Sequence, residues 1–177
     1  MKRKKEKVKT IRDYPLNRIN PFETESPFIS KDKSFSVNVV ENARSLTGIH
    51  KIKSNEALDI VCLTLKEKLG LTKVGVNIFR FLYLNPDYVY EAKDMKDANL
   101  MAKINFEECR EEMGYTSTQS VWCGLAELLN NNIIARAKVS RKIMDKERGL
   151  HLHYYHLNPI FFLPTKTIVV TEYYKVV

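Results

Sequence analysis

Glycine and cysteine are scarce in this chain, and long apolar runs are missing. The six glycines are scattered, so no Gly-rich loop is present to cradle a phosphate, and neither G-x-S-x-G nor H-E-x-x-H occurs. The three cysteines, Cys62, Cys109 and Cys123, form no C-x-x-C pair. That spacing offers no zinc or disulfide framework and suits a reducing cytoplasm. All three are expected to be small core hydrophobes. No apolar run approaches the roughly 20 residues needed to span a bilayer. The basic start MKRKKEKVKTIR is not followed by an apolar segment, so no membrane contact and no secretion are expected, and the expected location is cytoplasmic.

Catalytic patterns are equally thin. His151 and His153 in HLHYYH would share a strand face, but no Cys, Asp or Glu stands at ligand spacing beside them. Tyr154 and Tyr155 are read there as residues that pack or touch phosphate. The pairs Glu107-Glu108 and Glu111-Glu112 in FEECREEMG point to different sides of a helix. They read as a solvated face with Glu108 in a cap. No nucleophile stands at readable spacing from a base. The expectation is a non-enzyme with no cofactor and no metal.

What is present is an ordinary core and an uneven charge. Hydrophobic residues make up 44% of the 177, enough for one globular core. The formal charge is +8. Residues 1–12 hold seven cations (Lys2, Arg3, Lys4, Lys5, Lys7, Lys9, Arg12) against Glu6, a net +6, which leaves +2 for the rest. The basicity therefore describes an arm, read either as a phosphate contact or as a solvated tail.

Along the chain, residues 1–33 form a basic arm with Pro15, Pro21 and Pro27 and no helical period. SFSVNVV alternates as a strand, and ENARSLTGIHKI suggests a turn and a second short strand. From Ser54, the positions Leu58, Val61, Cys62, Leu65 and Leu69 follow one helical face up to Gly70. A second helix starts at Thr72, with Val74, Ile78, Phe81 and Leu82 as its stripe, and ends at Asn85-Pro86. Residues 87–104 read as a connecting loop closing in a short strand at Met101–Ile104. Asn105 and Glu108 form a capping-box pattern that opens a compact helix ended by Gly114. Thr116 and Gln119 repeat the pattern, so the next helix is expected over 117–130, buried through Val121, Leu125, Leu128 and Leu129. IIARAKV and LHLHYYHL alternate as partner strands around the charged tip SRKIMDKERG. The tail 164–177 is strand-like.

Helix, linker, short helix, tight turn, helix, strand, charged loop, strand is the order of a winged helix-turn-helix. The expected fold class is α+β: a winged helix-turn-helix domain over 34–163, with its core motif at 71–163. It carries an N-terminal strand and helix extension and the basic arm. The second helix of the pair would lie in a major groove with its first turn toward base edges. GYTSTQSVWCGLAELLNNNIIARA resembles the helix-turn-helix and first wing strand of many bacterial winged-helix proteins. YYHLNPIFF, with Tyr154, Tyr155, Leu157, Asn158, Pro159 and Phe161, is similar to the closing strand of small plasmid replication initiators of Firmicutes and related mobile elements. That resemblance implies origin binding and recruitment of host replication proteins.

The candidate DNA-contacting residues are Thr116, Ser117, Thr118, Gln119 and Ser120 for base readout, with Lys138, Arg141, Lys142, Lys146 and Arg148 on the wing. Helical geometry turns Gln119, Ser120, Cys123, Glu127 and Asn130 outward. The helix carries no Lys or Arg, and Glu127 would repel phosphates, so the cations must come from the wing, a net +3 over 138–148, and from arm residues 2–12. Trp122 is read as a packing residue. The partner expected is double-stranded DNA, with a homodimer on a palindromic site. A winged-helix transcriptional regulator is the alternative of the same class. A non-catalytic adaptor whose strand-like tail Ile168–Val177 pairs with another chain is the alternative of a different class.

Overall fold

The computed structural model describes residues 8–22, 28–29, 34–36, 55–85, 87–92, 99–141, 152–158, 161–162, 168–169 and 172–175. In chain order these give strands β1 (Phe28–Ile29) and β2 (Ser34–Ser36) and helices α1 (Asn55–Leu69) and α2 (Lys73–Leu84). Strands β3 (Asp87–Ala92) and β4 (Asn99–Asn105) follow, then helices α3 (Phe106–Met113) and α4 (Gln119–Asn130). The last elements are β5 (Ile134–Arg136), β6 (Leu152–Leu157), β7 (Ile168–Val169) and β8 (Glu172–Lys175). The class is α+β. The remainder of SFSVNVV and the segment ENARSLTGIHKI lie outside the described residues.

The main sheet runs β5-β6-β4-β3-β8. Its first four strands are antiparallel, and β8 joins β3 in parallel. The reading of 87–104 as mostly loop is corrected. DYVYEA forms β3, and Tyr88 pairs with Ala102 and Val89 with Met101 across a hairpin. Tyr88, Val89 and Tyr90 run together and the next inward position is the buried Glu91, so the stretch carries no period-two hydrophobic signal. The tail pairs within its own chain, with Tyr173 opposite Tyr90.

Alternation along β4 and β6 serves two cores. Ile104 and Tyr155 face the helices, whereas Met101 and Tyr154 join Val89, Ala137 and Val139 in a smaller cluster. Tyr155 is fully buried, which pushes its phenol pKa upward. The larger core gathers Leu58, Val61, Cys62 and Leu65 of α1, Ile78, Phe79, Phe81 and Leu82 of α2, and Val121, Leu125, Leu128 and Leu129 of α4. Each fully buried side chain of this size contributes about 1.5–3 kcal/mol of transfer free energy. Phe79 extends the anticipated stripe of α2, because that helix packs against α1 and α4 together.

The α2–α4 crossing depends on Gly124. A Cβ there would collide with Ile78 Cγ1 and lie 3.1 Å from Ile78 Cβ and 3.3 Å from Val74 Cγ1. The motif around Asn158 braces the end of α4. Asn158 Nδ2 donates to Asn132 O at 2.8 Å, and its backbone N–H donates to Ile133 O at 3.1 Å. Asn132 adopts φ 54°, a left-handed conformation that Asn tolerates better than most residues. Phe162 then packs on Phe79 with ring centroids 5.0 Å apart.

Candidate nucleic-acid interface

Local chemistry fixes the α3–α4 turn. Asn105 caps α3 through its side-chain oxygen, which accepts from Glu107 N (2.9 Å) and Glu108 N (3.2 Å). Gly114 ends α3 at φ 70°, a left-handed conformation that costs Gly little and an L side chain more. Arg110 then grips the turn, donating to Tyr115 O at 3.2 Å, while Asn77 Nδ2 donates to the Tyr115 hydroxyl at 3.0 Å. Arg110 also pairs with Glu107 and Glu111, so this cation is engaged within the fold.

The cluster 116–120 lies at the start of α4. Thr116, Ser117 and Gln119 are exposed, and Thr118 and Ser120 are half-buried. The expected capping box from Thr116 to Gln119 is not formed. The helix opens at Gln119, its cap is Thr118 in a helical conformation, and no side chain closes the cap. Two bent residues at 116–117 make the turn longer than the capping pattern suggests. Gln119 Nε2 instead points one turn along its own helix, 3.7 Å from Cys123 Sγ.

Cys123 and Glu127, both turned outward by helical geometry, have different surroundings. Cys123 is exposed, whereas Cys62 and Cys109 are buried, so the core reading of the cysteines fails for one of three. Burial pushes the Cys109 thiol up to about 12. Glu127 is not a free acidic face. Its carboxylate accepts from Thr72 N at 2.9 Å and from Thr72 Oγ1 at 2.5 Å, at the N-terminus of α2. Trp122 is half-buried and meets Phe106 edge-to-face at 4.8 Å and His153 at 5.1 Å.

After α4, β5 pairs with β6 with Ile134 opposite Leu157 and Arg136 opposite Tyr155. Lys138 and Arg141 are exposed where the chain leaves the sheet. Lys142, Lys146 and Arg148 lie outside the described residues. The segment after β5 is held by Glu91, a carboxylate only 3% exposed, which accepts from Ser140 N at 3.0 Å and pairs with Arg18 at 3.4 Å.

Arg18 belongs to the arm, and the arm is where sequence reasoning missed most. Residues 8–22 are docked. Ile11 is 1% exposed and joins the main core from a 3-10 turn (Ile11–Asp13). Asn17 bridges the edge of β5, donating to Arg136 O (2.9 Å) and accepting from Lys138 N (2.8 Å). The same Asn17 carbonyl accepts from His156 Nε2 at 2.9 Å. A carbonyl only accepts, so Nε2 carries the proton. His156 is fully buried and its Nδ1 has no partner among the described residues. Burial therefore holds its pKa below the ordinary value. One signal in the sequence marked this docking: Thr10 and Asp13 stand at cap spacing, and Thr10 N does donate to Asp13 Oδ2 at 2.7 Å.

The arm and α4 enclose an open groove of about 1400 Å³. Its floor is the outer face of α4 from Gln119 to Asn130, and its walls are the segment around Lys9 and Arg12 and the α1–α2 junction around Gly70. Tyr14 ties the near wall to the floor, donating its hydroxyl to Asn130 Oδ1 at 3.1 Å. Among the described residues no group of three or more His, Cys, Asp or Glu gathers as metal ligands, and no described helix is long and apolar enough to cross a membrane.

No protein-family model matches this chain, and no curated protein or solved structure matches it.

Proposed function

We propose that this chain is a winged helix-turn-helix protein that binds double-stranded DNA in a sequence-specific way. The observation that carries the reading is topological. The order α2, β3, β4, α3, turn, α4, β5, β6 is combined with neighbouring strands β5-β6-β4, and α4 leads directly into the antiparallel pair β5-β6. That pair is the wing, and α4 is the reading helix. Thr116, Ser117, Thr118, Gln119 and Ser120 supply short polar side chains at its start. Gln119 suits adenine and the hydroxyls suit either base edges or phosphates. Lys138 and Arg141, with Lys142, Lys146 and Arg148, clamp the backbone.

Within that class the closing-strand motif around Asn158 favours a plasmid or mobile-element replication initiator that recruits host replication proteins. A transcriptional regulator uses the same machinery. The absence of Lys and Arg from α4 favours the other class, a protein-interaction adaptor.

Anisotropy titrations with a random duplex pool at two salt concentrations separate the classes. A DNA binder loses affinity steeply with salt, and Ala at Lys138, Arg141, Lys142, Lys146 and Arg148 removes most of the binding. Salt-insensitive, weak binding that these changes leave alone rejects the DNA reading. Selection of a preferred duplex from the pool, lost on Gln119→Ala, would then identify α4 as the reader.

A further inference from the structure

We propose that the groove between residues 8–14 and the outer face of α4 takes one sugar-phosphate strand of duplex DNA, with Lys9 and Arg12 as its cations. Ile11 and Tyr14 are positioning residues for them. The inference rests on the DNA-binding reading and adds to it the strand path beside α4.

Charge is the first argument. A helix of 12 residues is about 18 Å long. Phosphates advance about 3.4 Å per step along each strand, so several face a helix of that length. This helix answers them with no cation of its own. Lys9 and Arg12 are exposed and line the same groove as that face. Among the described lining residues the one carboxylate is Glu127, and Thr72 already engages both of its oxygens. The groove is therefore net positive where the phosphates need it.

The second argument is that these two cations are held in place. Ile11 stands between them in sequence and is anchored in the core. Tyr14 bonds Asn130 of the floor, its carbonyl accepts from Arg136 at 3.0 Å, and the Lys9 ammonium lies 5.6 Å from its ring centroid. A free polycationic tail loses conformational entropy when it binds, about 1–2 kcal/mol per ordered residue for the backbone alone. A docked segment has already lost it. Gln119 and Asn130, at the two ends of the floor, add neutral amides of the kind that commonly contact phosphates.

The test is the salt slope of duplex binding by the full chain. Lys9→Ala combined with Arg12→Ala should lower the slope by about 1.8, because each lost phosphate contact removes about 0.9. Lys66→Ala, on α1 and outside the groove lining, should leave it unchanged. Ile11→Ala keeps every charge and should lower the slope like the double variant. If that variant fails to fold by circular dichroism, Tyr14→Ala decides, since its half-buried ring can be lost without opening the core. An unchanged slope in the Lys9/Arg12 variant, with the wing variants still losing binding, overturns the groove and leaves the DNA reading intact. A wild-type chain with no salt-dependent binding overturns both.

Discussion

Glu127, in the middle of α4, caps α2 through Thr72, two residues that lie 55 positions apart in the chain. The carboxylate holds the cap residue, whose Oγ1 in turn accepts from Gly75 N at 3.3 Å, and it brings the negative charge that the helix dipole favours there. It also fixes how α4 sits against α2, and so how the outer face of α4 is presented.

Glu127→Ala should therefore destabilise the chain by about 1–2 kcal/mol, the range for a lost charge-assisted cap. Urea unfolding measures it. The same change should not weaken DNA binding by the folded protein, because it removes a negative charge from the groove. A variant with unchanged stability would show that the Thr72 contact does not hold the helices.

Gly124→Ala should cost about 1–3 kcal/mol by overpacking at Ile78 and Val74. Helix propensity acts the other way, favouring Ala over Gly by about 1 kcal/mol on an open surface. The sign of the measured change thus reports whether the crossing is as close as the structure has it. Ile78→Ala removes the colliding Cγ1, so Gly124→Ala should cost less in that background than in the wild-type chain.

His156 predicts a pH dependence. Its native pKa lies below the 6.5 of an unperturbed imidazole, so the unfolded chain takes up the proton first. Stability is fully present above about pH 6.5 and falls as the pH drops below it, by up to about 1.4 kcal/mol per pH unit from this group. The fall ends once the native imidazole also titrates. Urea unfolding from pH 7.5 to about pH 5 would follow it, and His156→Gln should flatten the dependence. A profile unaffected by that substitution would refute the assignment.

Thiol reactivity should separate the cysteines. Cys123 is exposed on α4, while burial shields Cys62 and Cys109 and raises their pKa values. An aromatic disulfide reagent should label Cys123 quickly in the native chain and the other two only on unfolding. Labelled Cys123 places a bulky group on the groove floor, so DNA binding should fall with it. Cys123→Ser should bind DNA normally and resist the reagent.

Local patterns carried much of the fold. The α1 stripe from Leu58 to Leu65, the caps at Thr72 and Asn105, and Gly114 at the turn are each set by residues within one or two helical turns, and all are formed. The pairing of β5 with β6 follows from the alternation in IIARAKV and LHLHYYHL, although β5 keeps only three residues of its stretch. Strand β3 was harder to read, because the acidic Glu91 takes one of its inward positions and its partners β4 and β8 lie at very different distances along the chain. The candidate site was legible only as a composition: polar at Thr116–Ser120, basic at the wing and in the arm.

The sequence by itself determined the ends of α2 and α3 and which face of each helix is apolar, because periodicity and capping act over a few residues; the start of α4, at Gln119 and without a side-chain cap, departs from its capping pattern. Tertiary structure alone decided that Glu127 is a cap, that Ile11 is core and that Asn17 closes the edge of β5. It also decided that Lys9 and Arg12 stand beside a cation-free helix. Those outcomes depend on contacts between segments far apart in the chain, 122 positions for Tyr14 with Arg136 and 139 for Asn17 with His156. At that distance no spacing rule links the partners. What selects them is the burial of one isoleucine together with backbone groups that must find a partner once they leave water.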